Sequence, residues 1–354
     1  MRYLSAMSTS HAAAFTLEQL GWRPFFQQQI ELEHWGYPVA RVFAQHRNRL
    51  ELVAEAGESG LDLHPGIPAI TVGDWLLLTP AGQFLKLLER QSLFRRKAAG
   101  TKVEEQLIAA NVDTLFIVSS LNEDFNLNRI ERYLSLANEA NVEPVVILSK
   151  ADLCDDPESV RRQVQAMDPL LMVETINCLD SAQIPKLEPW CGSGQTIALM
   201  GSSGVGKSTL VNTLLGGAVQ TTAAIREDDG KGRHTTTRRS LHLMRQGGLL
   251  LDMPGMRELQ LADCDEGIQA TFADIAVLAE QCRFGDCRHE SEPGCAVQEA
   301  IVRGDLEARR LASFRKLLRE QAFNSATLAE KRARDRSFGK MIKSHLAQKN
   351  TRNS

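Results

Sequence analysis

The run Gly201-Ser202-Ser203-Gly204-Val205-Gly206-Lys207-Ser208-Thr209 fits G-x-x-x-x-G-K-[ST], the spacing of a loop that cradles phosphate. Its glycines permit a turn in which successive backbone N–H groups face one anion, and the helix that follows adds partial positive charge. In such a loop the Lys207 ammonium neutralises β/γ-phosphate oxygens and the Ser208 hydroxyl ligates Mg²⁺. Downstream, Asp252-Met253-Pro254-Gly255 fits D-x-x-G. There Asp252 would hold Mg²⁺ through water, and the Gly255 N–H would face the γ-phosphate. Between the two lies "REDDGKGRHTTTRRS", with glycines, charge and a threonine run. Thr236 or Thr237 would close over the metal and γ-phosphate in the triphosphate state. A solvated loop whose threonines start a strand has the same composition.

Upstream of the cradle, Ser149-Lys150-Ala151-Asp152 ends an apolar run and resembles the base-reading pattern N-K-x-D. An Asp carboxylate accepts both N1–H and N2–H of guanine. Adenine offers neither donor there, so the carboxylate would be left unpaired. The stem of Lys150 can lie on the purine face. Ser149 stands in the usual Asn position, keeping a hydroxyl but losing the amide that bridges base and cradle; weaker nucleotide affinity is the expectation. The base-reading piece thus precedes the phosphate loop, the reverse of the usual order. A parallel sheet is held by strand contacts and not by synthesis order, so a permuted chain can assemble the same pocket.

A second constellation is Cys282-x₄-Cys287-x-His289-x₅-Cys295, three thiols and an imidazole within fourteen residues, with Gly285 and Gly294 at turns. Four such donors with no spare position describe a closed tetrahedral Zn²⁺ site, structural in role. Binding there would supply on the order of 10 kcal/mol of local folding free energy.

The elements needed to position these groups can be read from periodicity. Residues 15–34 form a short helical or irregular lead-in. From Gly36 the runs "YPVARVFAQ", "RLELVAE", "PAITVGDWLLLT" and "QFLKLLERQ", separated by Gly and Pro, predict a small β-barrel or sandwich. Then "TLFIVSS", "PVVILS", "MVETINC" and "QTIALMG" alternate with helical stretches; Leu127, Ile130, Leu134 and Ala137 share one helix face. "SLHLM" and "GLLLDM" close the series, and the alternation predicts a parallel sheet covered on both faces. Helices follow Gly255. The expected division is 1–35 lead-in, 36–98 barrel, 99–270 α/β nucleotide domain, 271–325 helical zinc domain and 326–354 basic tail.

Composition is ordinary for a soluble protein, with 43% of the 354 residues hydrophobic, and no run approaches eighteen apolar residues, so no membrane-spanning helix is expected. The start "MRYLSAMSTSHAAAF" lacks the apolar core of a secretory signal, and seven cysteines form an odd set. Both point to a reducing cytoplasm. From Arg303 onward fourteen Lys/Arg face five Asp/Glu, a balance of +9 that leaves −12 for the remainder of a chain at −3. Such a tail suits a polyanionic partner through salt-sensitive phosphate contacts. Arg41, Phe43, Arg47, Arg90, Phe94, Arg95, Arg96 and Lys97 are candidates for a nucleic-acid-facing barrel surface, and barrel core or linker is the alternative for many of them.

A barrel followed in order by S-K-x-D, G-S-S-G-V-G-K-S, G-R-H-T-T-T, D-x-P-G-M and a Cys/His cluster resembles the ribosome small-subunit-dependent GTPase A family. The resemblance runs from about Gly36 to the tail. It implies a circularly permuted P-loop GTPase with an N-terminal OB-fold and a C-terminal helical zinc domain. It also implies a cytoplasmic monomer that hydrolyses GTP to GDP during late maturation of the 30S subunit, with contacts to 16S rRNA and stimulation by the ribosome. Two positions depart from the family pattern: Ser149, and Ile176-Asn177-Cys178 where a Ser-Ala pair usually meets guanine O6. The position after D-x-x-G is Met256, which cannot orient water, and the hypothesis for that role is His234. Two other readings remain: a nucleotide-gated rRNA-binding adaptor with incidental hydrolysis, and a P-loop kinase or ATPase that takes ATP as well as GTP.

Overall fold

A computed structural model describes residues 15–97, 105–216, 239–252 and 264–325. The chain divides into two compact units, 1–95 with 107–259 and 96–106 with 260–354.

In the first unit, β1 (Val39–Gln45), β2 (Arg49–Ala54) and β3 (Gly57–Asp62) form an antiparallel meander. β4 (Trp75–Leu78) pairs with β1 and with β5 (Phe84–Leu87). Alternation along β1 sends Ala40 and Val42 to one core with Leu50, Leu52 and Leu76, and Val39 to another with Trp75 and Leu77. The lead-in closes this second core. Leu20 and Phe26 are buried there, and Trp22 meets Trp75 edge-on at 4.8 Å.

β6 (Leu93–Lys97) and β7 (Glu105–Ala110) pair as a separate two-stranded sheet. The α/β portion then begins with β8 (Thr114–Ser120), buried along its whole length. α2 (Leu127–Glu139) follows; the Asn126 side chain accepts its Arg129 N–H, a helix cap that frees no donor into the core. Leu127, Ile130, Leu134 and Ala137 are all buried on the expected face. β9 (Glu143–Ser149), β10 (Met172–Ile176) and β11 (Thr196–Met200) complete the parallel set with β13 (Leu249–Asp252).

The strand order is β10-β9-β8-β11-β13-β12-β1-β2-β3, where β12 is Arg239–Leu243. The expectation of an all-parallel sheet is corrected at β12, which runs antiparallel to β13. Only residues 244–248 separate them, too few for a crossover, so the pair must close as a hairpin. β12 also pairs with β1, with Ala44 opposite Ser240 and Gln45 opposite Arg239. The antiparallel strands β1–β5 and the strands of the α/β portion are therefore hydrogen-bonded into one mixed sheet.

The second unit has helices Asp265–Thr271, Ala273–Ala279, Ala296–Arg303 and Ala308–Ser325. Phe272 packs on Phe314 at 5.3 Å. Arg310 lies 4.8 Å over the Phe272 ring and grips Asp274 through two bonds of 2.6 and 2.9 Å. No helix among the described residues is long and apolar enough to cross a membrane.

Candidate functional site

The reversed motif order resolves at the C-terminal edge of the parallel strands. From β8 the chain steps outward to β9 and β10, then returns to the far side of β8 as β11. Loops diverge at such a reversal and leave a crevice outside the strand ends. Register places Ser120 opposite Ser149, Ile176 opposite Ser149 and Met200 opposite Ile117. The loops after β9, β10 and β11 thus leave one edge side by side.

The phosphate-loop stretch leaves β11 at Gly201, where a Cβ would lie 2.3 Å from the Val118 carbonyl oxygen, so the strand ends can approach only without one. Gly204 and Gly206 have φ of +78° and +97°, the left-handed region that glycine adopts without strain. α5 (Lys207–Leu215) starts directly after Gly206 and ends on the left-handed Gly216. Lys207 Nζ donates to the Gly201 carbonyl at 2.7 Å and also to that of Ser202. Ser203 is exposed at the loop tip; Ser202, Ser208 and Thr209 are half-buried, and Val205 is buried. A loop of this shape at a helix N-terminus can hold an anion with backbone N–H groups.

Ser149 is fully buried and its Oγ donates to the Val205 carbonyl at 2.6 Å, with Ser119 O at 3.4 Å. The hydroxyl that replaces the amide thus keeps a bond to the cradle: β9 ends close enough to the loop for a short side chain to span the gap. Lys150 then adopts φ 57°, ψ 39°, turning the chain so that Ala151–Leu153 forms a short 3₁₀ turn with Asp152 exposed. After β10, Asn177 Oδ1 accepts the Leu179 N–H at 2.9 Å, and Cys178 is buried in the core cluster that includes the phosphate-loop residue Val205. Burial pushes the Cys178 thiol up to about 11, with the Asp152 carboxylate adding to the rise. Asn177 and Cys178 are the positions at which this sequence departs from the family's Ser-Ala pair.

Asp252 ends β13, opposite Ser240 of β12. Thr236, Thr237, His234, Gly255 and Met256 lie outside the described residues.

In the second unit Cys282, Cys287, His289 and Cys295 bring their ligand atoms within 4.8 Å of one another. Cys282 and Cys295 sulfurs are 3.9 Å apart, and each lies 3.5 Å from His289 Nδ1. Ligands at tetrahedral Zn²⁺ distances are separated by about 3.8 Å (S to S) and about 3.5 Å (S to N). The donors fit that ion. The Gln298 N–H points at Cys295 Sγ at 3.5 Å, and its side chain donates to the His289 carbonyl. The Glu292 carboxyl is held down at about 2 by its own backbone N–H first, and then by the N–H groups it accepts from Arg288, Glu290 and Ser291.

The barrel candidates separate. Arg41 is buried, donating to carbonyls of Leu20 (2.6 Å), Asn111 (2.8 Å) and Gly73 (3.4 Å). Burial lowers its guanidinium to about 10. Arg90 grips buried Asp74 through bonds of 2.7 and 2.8 Å, and Phe94 is core. These three are structural, a correction to the RNA-facing reading. Phe43 is half-buried against the core that holds Trp75, and Arg96 is half-buried and bonded to Gln106. Arg47 and Arg95 are exposed.

A doubly wound sheet with a glycine-lined loop at its reversal point, fed by strands in permuted order, defines a P-loop nucleotide-binding protein of the circularly permuted kind. Comparison with known proteins specifies it further. The RsgA GTPase family model matches residues 87–262; a model described as ABC transporter matches 187–348, a range containing the same phosphate loop. "Small ribosomal subunit biogenesis GTPase RsgA 2" of Vibrio parahaemolyticus is 60% identical over 95% of this chain and 94% of its own. "Small ribosomal subunit biogenesis GTPase RsgA" of Mesorhizobium japonicum is 48% identical over 89% and 92%. The crystal structure of YjeQ from Thermotoga maritima, 25% identical, superposes with a TM-score of 0.59 over 80% of this chain and 98% of that one. YloQ, titled a circularly permuted GTPase, shares the fold at 20% identity and a TM-score of 0.58. The chain belongs to the RsgA GTPase family and is a GTP hydrolase.

Proposed function

We propose that this GTPase binds the small (30S) ribosomal subunit and acts in its late maturation, hydrolysing GTP to GDP with ribosome stimulation. The carrying observation is the Ser149–Val205 bond, which ties the base-reading strand to the phosphate loop in a chain akin to small-subunit biogenesis GTPases. In this reading Asp152 reads guanine and Lys150 covers the base. Gly201 to Thr209 wrap the phosphates. Mg²⁺ is held by the Ser208 hydroxyl and, through water, by Asp252, and supplies charge neutralisation at the β/γ-phosphates. Gly255, Thr236 or Thr237, and His234 complete the γ-phosphate side. Cys282, Cys287, His289 and Cys295 hold one structural Zn²⁺, which fixes the fold of their segment.

Residues 36–98 serve as an OB-type barrel and, with the basic tail, face 16S rRNA; the exposed cations Arg47 and Arg95 support this. The domain boundaries are those given by the sequence, and the working form is a cytoplasmic monomer. Single-turnover GTP hydrolysis measured with and without 30S subunits tests the reading. A rate raised at least about tenfold by 30S supports it. An unchanged rate with retained 30S binding would make the protein an rRNA-binding adaptor instead.

A further inference from the structure

The turn that joins the lead-in to β1 holds two large apolar side chains out in solvent. Leu32 is 82% exposed and Trp35 is 63% exposed, whereas Leu20 and Phe26 of the same lead-in are core. Leu32–His34 is a single turn of 3₁₀ helix, closed by the Trp35 N–H on the Leu32 carbonyl at 3.2 Å. In that geometry residues three apart stand one above the other, so the two side chains form one patch. The turn is tethered on both sides. Before it, Gln29 Oε1 accepts the Glu89 N–H at 2.6 Å, and Lys86 of β5 donates to the Gln29 carbonyl at 3.1 Å. After it, the Tyr37 N–H closes on the His34 carbonyl at 3.0 Å, and the two rings meet edge-on at 5.1 Å. A patch fixed in this way loses little conformational freedom when a partner covers it.

The charges around the patch select that partner. Glu31 and Glu33 flank Leu32 and are both exposed, and from Pro24 to Pro38 the chain carries no Lys or Arg. Lys86 lies 4.0 Å from Glu31, and His34 lies 3.7 Å from Glu33. Two carboxylates beside the patch repel a phosphate backbone, which is bound by cations. They attract a cationic protein surface, and an exposed tryptophan is the kind of side chain that anchors protein interfaces. We propose that the Leu32–Trp35 turn is a docking surface for a basic protein of the small subunit. That protein seats an apolar pocket on Trp35 and Leu32 and sets Lys or Arg side chains against Glu31 and Glu33. The inference rests on the 30S reading above and adds a protein contact to a reading that names only RNA.

The test is the affinity of the full chain for purified 30S subunits in wild type, Trp35→Ser, Leu32→Ser and the double variant Glu31→Lys with Glu33→Lys. Melting curves and GDP titrations run alongside. Trp35→Ser is expected to weaken 30S binding roughly 30-fold and Leu32→Ser roughly 5-fold, the scale of an interface anchor and its neighbour. Melting temperature and GDP affinity should stay at wild-type values, because both side chains are exposed. The charge reversal separates the two classes of partner: it should weaken binding at least about fivefold against a basic protein and tighten it against RNA. With Trp35 replaced by the photocrosslinker p-benzoylphenylalanine, irradiation on 30S subunits should give a ribonuclease-resistant adduct heavier by one ribosomal protein. Wild-type affinity in Trp35→Ser, tighter binding on charge reversal, or an adduct that is absent or lost to ribonuclease overturns the docking surface alone. A wild type that does not bind 30S subunits overturns the 30S reading and the docking surface with it.

Discussion

Asp152 stands exposed on a short turn whose preceding residue, Lys150, takes a left-handed backbone conformation. That turn carries the carboxylate beyond the end of β9, free to accept two N–H donors from a purine edge. Replacing it with alanine removes two charge-assisted bonds. Asp152→Ala should weaken GDP binding on the order of 100-fold while leaving the melting temperature unchanged, as titration and calorimetry would show; equal GDP affinity in the variant contradicts the assignment. The pieces of this site were legible in the sequence because chemistry restricts residue type: only glycine tolerates the approach of Gly201 to Val118, and only a carboxylate pairs with both guanine donors. The bond from Ser149 to the loop was not legible, since hydroxyl reach depends on how closely β9 approaches the loop.

At the scale of elements, Asp74 and Arg90 show what ties the segment before β4 to the segment after β5. Asp74 precedes β4, is fully buried, and receives both Arg90 and the Thr71 N–H. Burial raises its carboxyl above the ordinary range, and the Arg90 guanidinium opposes that rise. Arg90→Met would strand a buried carboxylate, costing roughly 3 to 5 kcal/mol. The sign with pH follows from linkage. A carboxyl raised in the folded state holds its proton more tightly there than when unfolded, so its effect on stability is most favourable below the unfolded value and worsens as pH rises through the folded one. The cost of Arg90→Met should therefore be larger at pH 7 than at pH 5, measured by urea unfolding at both; a pH-independent cost contradicts the pairing. Periodicity alone revealed most strands, because continuous apolar runs such as that of β8 allow little else. It did not reveal that β12 joins β13 to β1. Pairing between segments far apart in sequence leaves no local trace, and a short connection to β13 was the available hint.

Across the whole molecule, two compact units carry two separate chemistries, a phosphate loop in one and a tetrahedral donor cluster in the other. Each should fail independently. Cys287→Ala should lower zinc content from one equivalent to near zero and shorten the protease lifetime of the helices that flank the cluster, with GDP affinity unchanged; full zinc retention refutes the ligand set. The permuted order of motifs, legible from the first reading, is explained by the reversal of strand order at β8, where segments distant in sequence reach one edge. Guanine recognition at that edge is the claim on which the rest depends. The most direct measurement is a competition titration of the wild-type chain with GDP against ADP. A preference for GDP of at least about 100-fold is predicted, given a carboxylate left unpaired by adenine; equal affinity for the two would contradict it.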